Sequence, residues 1–274
     1  MRKVKALVLT GFGLNCDWET AHALERVGAR AERVHLNSLV TGGKTLADYQ
    51  VFVVGGGFSW ADEHGAGVIL AMRLKHRLGD AIREFIAKGG LILGICNGFQ
   101  VLVNLGVLPA FDGVSFTREV ALIHNDCGNF RDQWVHLAVN AESPCVFTRG
   151  LERLELPVRH GEGKFYAGTK VMEKLEANGQ VVLRYAGADG APAQGSFPEN
   201  PNGSLNDIAG ICDPSGRIFG LMPHPEAYHH WTHHPDWTLQ KERLRRRNGR
   251  FPEEGIGLEI FRSAVHYASE SHGA

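Results

Sequence analysis

The sequence predicts an α/β protein: a doubly wound, mostly parallel sheet flanked by helices, carrying an antiparallel β insertion. Three observations lead there. Over the first hundred residues, short apolar runs alternate with helical periodicity, the pattern of strands joined by right-handed helical crossovers. The runs at 51–54 and 91–95 are apolar throughout, as suits strands covered on both faces. After about residue 110, strand-like segments succeed one another without long helices between them, which marks the insertion.

The elements follow in order. A strand is expected over 4–9, then a glycine turn at Gly11-Phe12-Gly13. A helix starts near Asp17, with Trp18, Ala21, Leu24 and Val27 on one side and Gly28 as its stop. Residues 31–36 alternate as a strand, and 51–54 form another that ends in Gly55-Gly56-Gly57. Residues 65–88 read as one or two helices broken around Gly79-Asp80, before the strand at 91–95 and a further helix. Strands over 120–123, 134–139 and 154–158 make the insertion; 181–185 and 218–222 return to the sheet. A last amphipathic helix covers 258–269. Residues 227–257 are polar and rich in His, Arg and Trp, and read as an added surface element on one domain spanning 1–274.

Composition narrows the function classes. Hydrophobic residues are 43% and charged residues 22%, so the chain can bury a sizeable core. A net charge of −1 gives no electrostatic case for nucleic acid or a membrane surface as partner. Five scattered cysteines without a Cys-x-x-Cys pair argue against a disulfide scaffold or a thiolate zinc site. Residues 1–5 lead into a strand with no secretory pattern, and no run approaches the roughly 20 apolar residues of a membrane span. The expected location is the cytoplasm.

Ligands of such sheets bind at the carboxyl ends of strands, and Gly55-Gly56-Gly57 and Cys96 mark two of them. Gly94-Ile95-Cys96-Asn97-Gly98 joins a strand to a helix, the context of a nucleophile elbow. A helix N-terminus there favours negative charge on a thiol. His224 and Glu226 lie two apart between prolines, so an extended segment would put the carboxylate beside the imidazole. Cys96 is thus the candidate nucleophile, His224 the base and Glu226 its orienting group. The amides of Asn97 and of Gly56 or Gly57 are candidate oxyanion donors. Each piece also has a plain structural reading: a packed Cys, a surface turn, a tight glycine bend. The triple glycine lacks the Lys-Ser/Thr of a phosphate loop and the spacing of a dinucleotide fingerprint. The conjunction favours a cysteine hydrolase. Cys16 has no elbow around it, and Cys127, Cys145 and Cys212 read as structural.

Gly94-x-Cys96-x-Gly98-x-Gln100 with His224-Pro225-Glu226 resembles the class I, triad-type glutamine amidotransferases. Gly13-Leu14-Asn15-Cys16-Asp17, Gly56-Gly57-Phe58-Ser59, His160-Gly161-Glu162-Gly163-Lys164-Phe165-Tyr166 and the string from Asn200 to Ile211 narrow the likeness to the glutaminases of phosphoribosylformylglycinamidine synthases. The resemblance implies a flavodoxin-like glutaminase architecture and hydrolysis of glutamine through a Cys96 thioester. It implies ammonia delivery to a separate synthetase subunit, which converts formylglycinamide ribonucleotide to its amidine. ATP and Mg²⁺ would belong to that partner; this chain would need no cofactor and no metal. Gln100 becomes a candidate contact to glutamine, and 160–166 a segment lining the site or the interface. Whether a small bridging subunit joins the complex is left open.

Two positions depart from the family pattern: Ala61 where Gly is usual and Ala227 where Arg is common. They keep open a non-catalytic regulatory or scaffolding subunit; a freestanding cysteine hydrolase is the third reading. In 227–257, His230 and His234 have helical metal-ligand spacing but no accompanying Cys, which favours a solvated or interface loop. The basic run from Lys241 to Arg250 reads as a charged helix face, or as a surface that docks on an acidic partner.

Overall fold

Strand and helix alternate through the first half, as the apolar runs require. The computed structural model describes residues 3–271; residues 1–2 and 272–274 of the expected 1–274 unit lie outside the described residues. The order is β1 (Lys5–Thr10), α1 (Asp17–Arg26), β2 (Arg30–His35), α2 (Leu36–Val40), β3 (Val51–Val54), α3 (Val68–Ala87), β4 (Leu91–Ile95) and α4 (Asn97–Leu105). Every residue of β3 and β4 is buried, which explains their unbroken apolar sequence. Helix α3 runs through Gly79 without a break. The expected interruption is absent because one helical glycine costs only about 1 kcal/mol relative to Ala. The helix buries Leu70, Leu74, Leu78, Ile82 and Phe85 along one face, which outweighs that cost.

The second half adds β5 (Ala121–His124), β6 (Arg131–Val139), β7 (Arg153–His160), β8 (Glu162–Tyr166), α5 (Thr169–Ala177), β9 (Val181–Ala186), β10 (Ile208–Cys212) and β11 (Ile218–Leu221). Nine strands form one sheet in the order β2-β1-β3-β4-β11-β10-β9-β6-β7. The strands from β2 to β11 in that order are parallel, and every pairing beyond β11 is antiparallel. The expected insertion is therefore mostly a continuation of the central sheet, with β5 and β8 forming a separate two-stranded ribbon. Strand β10 lies at the end of the asparagine-rich string and was not anticipated as a strand.

The chain closes with α6 (Trp237–Arg246) and α7 (Leu258–Ser271). Helix α6 buries no residue, and Glu242 on it pairs with Arg245 and Arg246, as expected of a charged helix face. His230 and His234 are not on an α-helical face, because they are the extended caps of the short 3-10 turn Trp231–His233. Buried His234 instead faces Glu155, its Nε2 3.0 Å from Oε1. Helix α7 buries Leu258, Ile260, Phe261, Ala264 and Ala268, and α1 packs against both α7 and the turn Pro225–Ala227. No described helix is long and apolar enough to cross a membrane.

Candidate active site

The carboxyl ends of β1, β3, β4 and β11 converge on one point. Cys96 sits between β4 and α4 with φ 50° and ψ −106°, a left-handed conformation that a side chain adopts only under constraint. Such a residue costs about 1–3 kcal/mol, held by the packing around it. Its amide donates to the Leu221 carbonyl at 2.8 Å, and its carbonyl accepts from Gln100. The bend is on Cys96 itself, not on the flanking glycines. The glycines provide room: a β-carbon on Gly98 would collide with the Val54 carbonyl, and one on Gly94 would lie 2.7 Å from the Gly98 oxygen.

His224 follows β11, its amide donating to the Pro157 carbonyl of β7 at 2.8 Å. His224 Nδ1 and Glu226 Oε1 are 2.5 Å apart, with both residues buried. The route differs from the expected extended segment, because Pro225 opens a short 3-10 turn, Pro225–Ala227, that swings the carboxylate back to the ring. Burial alone would lower the His224 pKa. The Glu226 carboxylate overcomes this, joined by the Cys96 and Cys16 thiols, and holds it well above the ordinary imidazole value. Among the described residues Nε2 has no hydrogen-bond partner, and the favoured imidazolium carries a proton there beside the thiols.

Cys16 is the residue that sequence reasoning set aside. It precedes α1 and is buried, and its Sγ, a His224 ring nitrogen and a Glu226 oxygen all lie within 4.8 Å of one another. Burial pushes its thiol pKa up despite His224 nearby. A uncharged thiol packed against the imidazole is the consequence. A β-carbon on Gly56 would stand 2.6 Å from His224 Cε1 and 3.1 Å from Cys16 Sγ, so that position admits only glycine. The signal available in the sequence was Asn15-Cys16-Asp17 after the first strand, in the same row of strand ends as Cys96.

Of the expected oxyanion residues, Asn97 directly follows Cys96, and Gly56 lies beside His224 and Cys16. Asn97 opens α4, where the amide has no partner within the helix. Gly56 and Gly57 follow β3, and the loop is tied back to the β1 loop: the Gly56 carbonyl accepts from the Asn15 and Cys16 amides at 3.3 and 3.2 Å, and Phe58 N donates to Gly13 O at 2.9 Å. The Asn97 side chain, whose role the sequence did not reveal, clamps what comes next. Its Oδ1 accepts from Ser59 N at 3.2 Å, while its Nδ2 donates to Asp62 at 3.1 Å and to Gln100 Oε1 at 3.0 Å. The clamped loop is strained: Trp60, Ala61, Asp62 and His64 all have φ between 53° and 63°. Ala61 thus occupies a backbone conformation that the family's usual glycine would adopt freely.

Gln100 is buried, and its Nε2 donates to the Glu162 carbonyl, so its amide is engaged on both sides by protein. A groove of about 320 Å³ opens beside this network, lined by Phe58, Asp62, His124, Asn125, Phe130 and Glu162 among others. Burial and the adjacent Glu162 raise the Asp62 carboxyl to about 6, against the hydrogen bond from Asn97. His160 lies nearby with Nδ1 3.1 Å from Asn125 Oδ1, and burial, with His224 close, lowers it to about 3. Asn125 Oδ1 also accepts from Gly163 N, so His160 Nδ1 is the donor and the ring is neutral.

Residues 3–268 match the CobB/CobQ-like glutamine amidotransferase domain. The chain is 45% identical over 266 residues to the phosphoribosylformylglycinamidine synthase subunit PurQ of Methanococcus maripaludis strain S2, covering 96% of this chain and 97% of that one. The Dehalococcoides mccartyi subunit of the same name is 44% identical, over 98% of this chain and all of its own length. Among solved structures, a chain in the structure of PurLQS from Thermotoga maritima superposes with a TM-score of 0.70 at 29% identity, covering 97% of this chain and 99% of that one. Motifs, fold and full-length similarity agree: the chain is a member of the CobB/CobQ-like glutamine amidotransferase family.

Proposed function

We infer that this chain is the glutaminase subunit of a phosphoribosylformylglycinamidine synthase, acting with a synthetase subunit in purine biosynthesis. The full-length similarity to the named subunits supports this assignment. The observation that carries the catalytic reading is the buried His224–Glu226 pair, 2.5 Å apart, set beside a cysteine on a strained strand-to-helix turn.

In the mechanism we propose, the Cys96 thiolate attacks the carboxamide carbon of glutamine. The oxyanion is met by the Asn97 amide and by an amide of Gly56 or Gly57. Collapse of the tetrahedral species breaks the C–N bond, with His224 giving its proton to the departing nitrogen, and leaves a glutamyl thioester and ammonia. His224, now neutral, takes a proton from water as it attacks the thioester, and glutamate leaves. Glu226 keeps the imidazole oriented and stabilises its charged form. With its protein partners in place, Gln100 would contact glutamine through its remaining amide proton or lone pair. ATP and Mg²⁺ are assigned to the synthetase, where they would activate the acceptor for the released ammonia. We place the reaction in the cytoplasm, a reading supported by five cysteines that are all unpaired.

The test is glutamate release from glutamine, with and without the synthetase, beside Cys96→Ala. Partner-stimulated release that vanishes in the variant is the expected result. A complex that forms but releases no glutamate would leave a scaffolding subunit, and equal turnover without the partner would leave a freestanding hydrolase.

A further inference from the structure

Cys16 is a buried thiol with no part in the proposed chemistry, and it faces a pair of groups that are only half satisfied. Its Sγ reaches Asn15 Oδ1 at a long 3.6 Å. Glu226 Oε1 is held by His224 Nδ1 at 2.5 Å, while Glu226 Oε2 and His224 Nε2 are buried with no hydrogen-bond partner among the described residues. The three side chains converge: Cys16 Sγ, a His224 ring nitrogen and a Glu226 oxygen lie within 4.8 Å of one another. Among the described residues no other three His, Cys, Asp or Glu side chains bring their donor atoms so close together.

Three atoms at that spacing lie at most about 2.8 Å from a common point. Shifts of under about 1 Å therefore bring each to the roughly 2.0–2.3 Å at which zinc holds N, O and S ligands. Gly56 borders the same space: a β-carbon there would stand 3.1 Å from Cys16 Sγ and 3.3 Å from His224 Nδ1, and glycine leaves it open. The charges balance as well. A Cys16 thiolate and the Glu226 carboxylate carry two negative charges and a neutral His224 none, so a dication makes the buried cluster neutral. Burial keeps the Cys16 thiol protonated in the metal-free protein, but a coordinating thiol loses its proton to the charge of the ion.

We propose that Cys16, His224 and Glu226 form a site for a borderline divalent transition-metal ion of the zinc type, and that filling it silences the glutaminase. Thiolate and imidazole donors suit zinc and disfavour magnesium and calcium. Binding releases two protons, one from the Cys16 thiol and one from the His224 imidazolium. An imidazole held by a metal cannot pass through its doubly protonated form, so His224 can neither protonate the departing nitrogen nor take a proton from water. The ion is no part of the triad chemistry; it opposes it. Cys96 stays outside the group of three and keeps its place on the turn. The effect on activity rests on the glutaminase reading, whereas the site itself does not.

The test is titration of the full chain with Co²⁺ alone, followed by displacement with Zn²⁺, beside glutamate release by the chain with its synthetase under added Zn²⁺. One equivalent of Co²⁺ is expected, with a thiolate-to-cobalt charge-transfer band that persists in Cys96→Ser and is lost in Cys16→Ser. Glu226→Gln should weaken binding at least about tenfold, the scale seen even for outer-shell partners of metal ligands. It keeps the site testable should melting curves show that metal-free Cys16→Ser does not fold. Half-inhibition by Zn²⁺ should need at least about tenfold more metal in Cys16→Ser than in the native protein, each against its own metal-free rate. A band that survives Cys16→Ser and disappears in Cys96→Ser would move the metal to the nucleophile and refute the site. No band at micromolar Co²⁺ in a protein that releases glutamate would also refute it and leave the glutaminase reading intact. A band in a chain that releases no glutamate with its synthetase would uphold the site and overturn the glutaminase reading, and with it the inhibitory role.

Discussion

Replacing Glu226 with Gln should reverse the way this protein's stability depends on pH. The substitution keeps an acceptor oxygen for His224 but removes the charge that holds the buried imidazole protonated. In the native protein the His224 pKa is raised, so its contribution is complete below the unfolded value of about 6.5 and is lost as pH rises through the folded value. In Glu226→Gln the largest opposing cause is gone, only the Cys96 and Cys16 thiols still oppose burial, and the folded pKa is expected to drop below that of the unfolded chain. The contribution is then present above about 6.5 and lost as pH falls. The stability difference between the two proteins is therefore largest on the acid side of neutrality and shrinks toward alkaline pH. A hydrogen bond to a charged group contributes about 1.5–3 kcal/mol. For a chain of this length that is roughly 3–5 °C in melting temperature. Contributions from groups remote from His224 cancel in the comparison; His160, whose pKa His224 helps to lower, does not. Activity should fall roughly 10²- to 10⁴-fold, since the imidazole loses both its orientation and its charge partner. The assay is thermal melting of both proteins across pH, alongside glutamate release. A pH-independent stability loss with near-native turnover would refute the idea that Glu226 sets the charge on His224.

Two further predictions concern the residues around the nucleophile. Asn97→Ala retains the amide proposed for the oxyanion but removes three side-chain hydrogen bonds, at a cost of about 1–3 kcal/mol. Faster hydrogen exchange confined to 58–64 and loss of partner-stimulated turnover are expected; unchanged exchange there would show that the strained loop holds itself. A glutamine-like electrophile should modify Cys96 well before Cys16, whose raised pKa keeps it a thiol at neutral pH. Peptide mass spectrometry reads this directly, and first labelling at Cys16 would reverse the assignment of the nucleophile.

The parts legible in the sequence are those written in local patterns. Strands β3 and β4 are apolar throughout because both faces are covered, and Gly94-x-Cys96-x-Gly98 marks its turn because helix and strand pack too closely there for a β-carbon. His224 and Glu226 could be paired because only one residue separates them, although the turn that joins them was not foreseen. What stayed hidden depends on distant contacts. Cys16 lies eighty residues from Cys96 in the sequence and meets His224 only once β1, β3, β4 and β11 lie side by side. The Asn97 clamp needs the loop after β3 to fold onto α4. The interruption expected at Gly79 failed for the opposite reason: a local breaker signal was overruled by a buried face extending along the whole of α3.

The two cysteines beside His224 show why a nucleophile is chosen by backbone as much as by chemistry. Both are buried, and both act on the same imidazole. Both also cap a helix, Cys16 before α1 and Cys96 before α4, but only Cys96 has the positive-φ turn leading directly into the Asn97 amide proposed for the oxyanion. Cys16 caps α1 in an ordinary backbone conformation, with φ −96° and ψ 20°. Cys96 and Trp60, Ala61, Asp62 and His64 all have positive φ, and Asn97 connects these two places. A synthetase that pressed on the 60–64 loop would therefore act on the oxyanion side of the reaction through one buried side chain. That route needs no displacement of Cys96, His224 or Glu226.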